Sequence, residues 1–140
     1  MIKNIKIIKL FIIVLASLDI SAFSNNEQSY CFSTDPELGD SAYWASAAIN
    51  FYNSGQNRKA ISIVDSCFEY YAEDALYQQS QLKKAMTPPP PIGRVDFRER
   101  EKVFANYAVN DVSMALWTKA VSAEKLGEIE IAMDAYSKCI

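Results

Sequence analysis

Cys31, Cys67 and Cys139 are the side chains best suited to nucleophilic or redox chemistry in this 140-residue chain, and there is no histidine to support them. A nucleophilic serine or cysteine needs a positioned base, so Ser-His-Asp and Cys-His arrangements are excluded. No C-x-x-C spacing occurs, which removes thioredoxin-type exchange, and zinc sites lose their usual ligands. Glu99 with Glu101, and Glu128 with Glu130, could in principle act as acid and base as in glycosidases. Two residues apart on a helix they point to different sides, which is the arrangement of solvated surface charge. No G-x-S-x-G, phosphate-binding glycine loop or dinucleotide fingerprint is present. The expectation is a chain that is not an enzyme and carries no metal or other cofactor.

Recognition is the remaining class, and the elements that would position it recur. From Trp44 the chain reads W-A-S-A-A-I-N-F-Y-N-S-G-Q-N-R-K-A, and from Leu116 it reads L-W-T-K-A-V-S-A-E-K-L-G-E-I-E-I-A. Gly55 and Gly127 are 72 residues apart (127 minus 55). Aligning them places Trp44 on Leu116, Ala48 on Ala120, Ala60 on Ala132 and Cys67 on Cys139. Before Gly55, the residues Tyr43, Trp44, Ala47, Ala48, Phe51 and Tyr52 recur at three- and four-residue intervals, the stripe of an amphipathic helix. Asp40 is the expected N-cap of that helix, and Gly55 supplies the positive φ that ends it. A second helix follows, with Ala60, Ile61, Ile63, Val64, Cys67, Phe68 and Tyr71 along its inner side. Alanines at 48, 60, 120 and 132 let two helix backbones approach closely, as an antiparallel hairpin requires. Residues 73–85 and 96–109 also carry helical spacing and predict a further pair between the two copies.

This pattern of a large residue, a small one four later, a turn glycine and an alanine five beyond it resembles the tetratricopeptide repeat family. The glycine separation is close to twice that family's roughly 34-residue period. The resemblance covers residues 41–140 and implies an all-α solenoid of about three antiparallel helix pairs whose first helices line a concave groove. Lys119 and Ala47 replace the usual leucine. Carried onto this chain, the family geometry implies groove positions Ala42, Ala45, Ile49, Tyr52 and Asn53 on one first helix. It implies Met114, Trp117, Val121, Glu124 and Lys125 on another. Tyr52 and Trp117 are the expected anchors, because aromatic residues with a polar edge dominate many interfaces; the alternative places Trp117 in the core. The lysine- and asparagine-rich clamp that some members use for peptide C-termini is absent.

Residues 1–24 have the form of a bacterial-type secretory signal. Lys3, Lys6 and Lys9 precede an apolar run from 10 to 18, and Ala22-Phe23-Ser24 offers small residues for cleavage. The run is shorter than the roughly 20 apolar residues that span a bilayer, so the expectation is a periplasmic or secreted protein with no stable membrane insertion after cleavage. The alternative is an uncleaved single-pass anchor. Losing Lys3, Lys6, Lys9 and Asp19 takes 14 basic and 17 acidic residues to 11 and 16. That acidic balance disfavours nucleic acid and suits a basic peptide.

In an oxidising compartment three cysteines leave one over. Cys67 and Cys139, two repeats apart, are expected to be too distant to bond, since Cα atoms must lie within about 7 Å. Cys31, in an irregular leader at 25–40, could fold back onto Cys67. Otherwise both repeat cysteines are small buried hydrophobes and Cys31 is incidental. In the connection at 86–95, Pro88 to Pro91 must be extended polyproline II. It is read as a stiff connector. Asp96 with Glu99 starts the next helix as a capping box, and that helix either breaks at Asn110-Asp111 or runs on to Leu126.

The leading expectation is a non-catalytic module that binds a protein or peptide partner, with a homodimer through the C-terminal helix as a further contact. The alternatives are the N-terminal recognition domain of a longer secreted enzyme and an envelope or host-directed structural factor.

Overall fold

The computed structural model describes residues 27–139; the expected signal segment lies outside the described residues. A 3-10 turn at Gln28–Tyr30 is followed by five helices: α1 (Asp40–Asn53), α2 (Asn57–Lys84), α3 (Phe97–Ala105), α4 (Tyr107–Leu126) and α5 (Ile129–Lys138). No strand occurs among the described residues, and the chain is all-α there.

Both glycine turns close in the same way. Gly55 and Gly127 have φ of +78° and +74°, the left-handed conformation that a residue bearing Cβ adopts at a cost. At the first turn, the Gln56 amide donates to the Phe51 carbonyl and the Gly55 amide to that of Tyr52, both at 2.9 Å. At the second, the Glu128 amide donates to Ala123 (2.9 Å) and the Gly127 amide to Glu124 (3.0 Å). These are Schellman closures, which satisfy helix-end carbonyls while reversing the chain within a few residues. The returning helix then lies close, and alanine fits where the backbones cross. Ala48, Ala60 and Ala120 are fully buried and Ala132 nearly so.

The two hairpins, α1/α2 and α4/α5, adjoin directly. Helix α4 packs along both α1 and α2, α5 packs on α4, and α3 touches α4 alone among the described helices. The expected middle pair does not form. Residues 57–84 contain neither glycine nor proline, so nothing interrupts the helix, and residues 73–84 extend α2 instead of opening a new hairpin. The helix predicted at 96–109 breaks at Asn106, earlier than Asn110-Asp111, and its last residues begin α4. Two asparagine side chains stabilise that break: Asn106 Nδ2 donates to the Lys102 carbonyl at 3.0 Å and Asn110 Nδ2 to that of Val103 at 2.6 Å. The Val109 amide, in the first turn of α4, donates to Gln78 Oε1 of α2 at 3.3 Å.

Trp44 is the largest fully buried side chain, surrounded by α1, α2 and α4. Its indole Nε1 donates to the Ile63 carbonyl at 2.9 Å, which removes the penalty of burying that polar group. The leader closes the outer edge of this core. Cys31 is bonded to Cys67 with Cα atoms 5.3 Å apart. Tyr71, packed on Trp44 with centroids 5.1 Å apart, donates its hydroxyl to the Cys31 carbonyl. Burial first, then Asp40 and Tyr70, pushes the Tyr71 phenol up to about 12, so it stays protonated and able to donate. Tyr30 packs edge-on against Phe51. Asp40 is not the N-cap; Gly39 holds that position, and the Asp40 carboxylate instead accepts from the Ser33 amide at 2.7 Å, tying down the leader. Cys139 is a free thiol, its Sγ 3.7 Å from the Ser113 carbonyl.

Asp96 caps α3 through a 2.9 Å bond from the Glu99 amide. At the other end of the connection, Met86 takes the left-handed position (φ +50°) that closes α2. A Cβ at Gly55 or Gly127 meets nothing within 4 Å, so the cost of a side chain there is conformational alone. Gly55→Ala and Gly127→Ala should each lower unfolding stability by about 1 kcal/mol, whereas Met86→Gly should raise it by a similar amount. Urea midpoints of the three variants check both signs.

Candidate functional site

The side-by-side packing of α1 and α4 brings Tyr52 and Trp117 together. Their rings meet edge to face, with centroids 6.1 Å apart and planes at 67°. Trp117 keeps 47 % of its surface exposed and is not a core residue; the core indole is Trp44. Lys125 Nζ stands 5.2 Å from the Tyr52 ring centroid, a cation-π contact within the chain. Glu124, two turns along the same helix from Trp117 and one from Val121, accepts from the Tyr136 hydroxyl of α5 at 2.9 Å. The result is a partly exposed group, the Tyr52 and Trp117 ring pair with Tyr136 joined through Glu124, edged by one carboxylate and one ammonium.

The other sequence-predicted positions are less tightly joined. Ile49 and Val121 are half-buried, Asn53 and Met114 are exposed, and none of the four takes part in the ring and hydrogen-bond cluster. Ala45, implied as a groove position, is buried in the core and offers a ligand nothing. Its counterpart in the second copy is Trp117, so the aromatic surface is a departure of α4 from α1 and not a feature of both. Tyr136 is a member that sequence reasoning missed. Its spacing from Ala132 marks it as helical, but its reach to Glu124 depends on the tilt of α5.

Toward the N-terminal ends of the two helices, Ser41 Oγ donates to Asp111 Oδ2 at 2.6 Å and joins α1 to α4. Burial raises the Asp111 carboxyl above its ordinary range, and the bond from Ser41 pulls in the opposite direction. At the turn end of the helices, Arg58 pairs with Glu128 at 2.7 Å and links the two turns. On the outer side of α5, Met133 and Tyr136 are exposed, whereas Ile61 and Val64, their counterparts 72 residues earlier, are buried beneath α4.

A hollow of about 620 Å³ lies elsewhere, on the proline connection, lined by Pro88, Pro89, Pro91, Arg94, Val95, Asp96 and Glu99. Its carboxylates are already used, Asp96 in capping α3 and Glu99 in an ion pair with Lys102 at 3.0 Å. The carboxylates weighed as acid-base pairs are also engaged in part: Glu128 with Arg58 and Glu99 with Lys102. Among the described residues no three His, Cys, Asp or Glu side chains cluster closely enough to hold a metal ion.

No protein-family model, curated protein or solved structure matches the chain.

A carboxyl whose folded pKa is raised favours the folded state most when protonated. Its contribution is present below the ordinary carboxylate value and is lost as pH rises through the raised one. Asp111→Asn keeps an acceptor for Ser41 without the charge. It should therefore be more stable than the parent at neutral pH, with the gain shrinking as pH falls toward the ordinary carboxylate value. Paired urea titrations at neutral and mildly acidic pH test this.

Proposed function

We propose that this chain is an exported, non-catalytic helical-hairpin protein that binds a peptide or protein partner on the α1/α4 face. The observation that carries the reading is Trp117, half-exposed and held edge-on to Tyr52 where two hairpins meet. Leaving a large aromatic ring against water forgoes its burial energy, and such rings supply much of the energy of protein interfaces. The local chemistry suits a basic side chain in the partner. Lys125 already stands over the Tyr52 ring, so a cation from the partner would find the Trp117 ring open and the Glu124 carboxylate two turns further along the same helix. The adjoining hairpins with matched glycine closures support the resemblance to tetratricopeptide-type repeats, whose first helices carry ligands. The export expected from residues 1–24 would place this interaction in the periplasm or outside the cell.

The test is a crosslinking pull-down from the exporting host, comparing the parent with Tyr52→Ala and Trp117→Ala. Circular dichroism would establish that both variants keep their helix content. Each change should weaken capture of the specific partner by roughly tenfold or more. Recovery of the same partners in the same amounts from both variants would overturn the reading.

A further inference from the structure

Positive charge is distributed unevenly in two senses. Between residues 83 and 102 stand six basic residues against three acidic ones (Asp96, Glu99 and Glu101), a net of +3. The rest of the span 27–139 has five basic against thirteen acidic, a net of −8. The five on the body are all occupied. Arg58, Lys119 and Lys138 pair with Glu128, Asp65 and Asp134, and Lys59 and Lys125 stand over the rings of Phe51 and Tyr52. Of the six at the proline end, Lys102 pairs with Glu99. The side chains of Lys83, Lys84, Arg94, Arg98 and Arg100 have no ion pair, hydrogen bond or ring contact among the described residues, and all five residues are exposed.

The same end carries apolar side chains with no cover. Every residue from 83 to 94 is exposed. Ile92 is wholly exposed, Met86 is 89 % exposed, and Phe97 and Phe104 are 68 % and 67 % exposed. Phe97 and Phe104 are seven apart, two turns along one side of α3, a helix with no buried residue. The backbone of this end is also poor in donors, because Pro88 to Pro91 carry no amide hydrogen and lose no donor bond on leaving water. Free cations beside exposed aliphatic and aromatic side chains are the composition of an interfacial segment, in which apolar groups enter the headgroup boundary while basic ones meet phosphates.

We propose that residues 83–104 dock this protein on the surface of an anionic lipid bilayer. Ile92, Met86, Phe97 and Phe104 enter the boundary, and the unpaired lysines and arginines contact headgroup phosphates. The acidic body is held away from the bilayer by its own charge, which leaves the Tyr52/Trp117 face open. The docking is peripheral: among the described residues no helix is long and apolar enough to cross a membrane. An acidic protein surface could attract the same cations, but it gives no reason for a wholly exposed isoleucine beside a donor-poor backbone.

The test is sedimentation of the full chain with vesicles of phosphatidylcholine alone or mixed with phosphatidylglycerol. The parent is compared with Arg94→Gln/Arg98→Gln/Arg100→Gln and with Ile92→Ser/Phe97→Ser. Residues 1–26 are the same in every chain compared, so differences between the parent and the two segment variants report on this segment. Binding should depend on phosphatidylglycerol, weaken as salt is raised, and fall by roughly a hundredfold in the arginine variant. The serine variant should bind less well at every salt concentration, and Trp117→Ala should bind like the parent. Equal binding of the parent and arginine variant, or no preference for phosphatidylglycerol, would overturn the proposal. Capture by polyglutamate beads without capture by vesicles would overturn it in favour of an acidic polypeptide.

Discussion

Each helical hairpin depends on a reversal tight enough for two backbones to pack across alanine. A left-handed glycine and its pair of Schellman hydrogen bonds accomplish this at Gly55 and, with nearly the same geometry, at Gly127. Close approach removes the space for large side chains at the crossing and directs them outward to the next layer. Trp44, Ile63 and Val64 therefore meet Val112 and Leu116 and form one core shared by both hairpins. The position of α4 along α1 follows from that shared core, and the Tyr52 and Trp117 contact follows from the position of α4.

The remaining features can be read as consequences of how this core is edged. At the α1 side the leader covers it, fastened by the Cys31 to Cys67 bond, by Tyr71 on the Cys31 carbonyl and by Asp40 on the Ser33 amide. A crosslink across a sequence separation of 36 restricts the unfolded chain enough to be worth about 4 kcal/mol in the loop-entropy picture. At the proline end, the far part of α2 extends beyond the core, and α3 touches the body through α4 alone. Unpaired cations and uncovered apolar side chains gather there, while the body keeps its own cations in ion pairs and over rings.

Legibility in the sequence followed the range of each interaction. The glycine turns, the alanine seams and the Asp96 cap are local, and composition at a few neighbouring positions was sufficient to place them. Helical periodicity also marked residues 73–85 and 96–109 as helix, but it does not report whether a helix continues or begins anew. The uninterrupted run from Asn57 to Lys84 therefore lay hidden inside an expected turn. The break at Asn106 depends on Asn110 reaching back to the Val103 carbonyl, a bond across seven residues that a pattern of apolar spacing does not contain. Tyr52 and Trp117 were each identifiable as aromatic residues on first helices. Their adjacency, the Ser41 to Asp111 link and the approach of Tyr136 to Glu124 all require the packing of separate helices. In the same way, Ala45 fell on a groove position by register and was taken into the core by its neighbours.

Proton-proton nuclear Overhauser contacts between the aromatic rings of Tyr52 and Trp117 test the central claim, that the two glycine-closed hairpins adjoin directly, with no helix pair between them. Cross-peaks between the Tyr52 ring and the Trp117 indole protons are expected, with none between the Tyr52 ring and Trp44, which is enclosed in the core two turns earlier in α1. Strong contacts of each ring within its own helix but none between the two would contradict it.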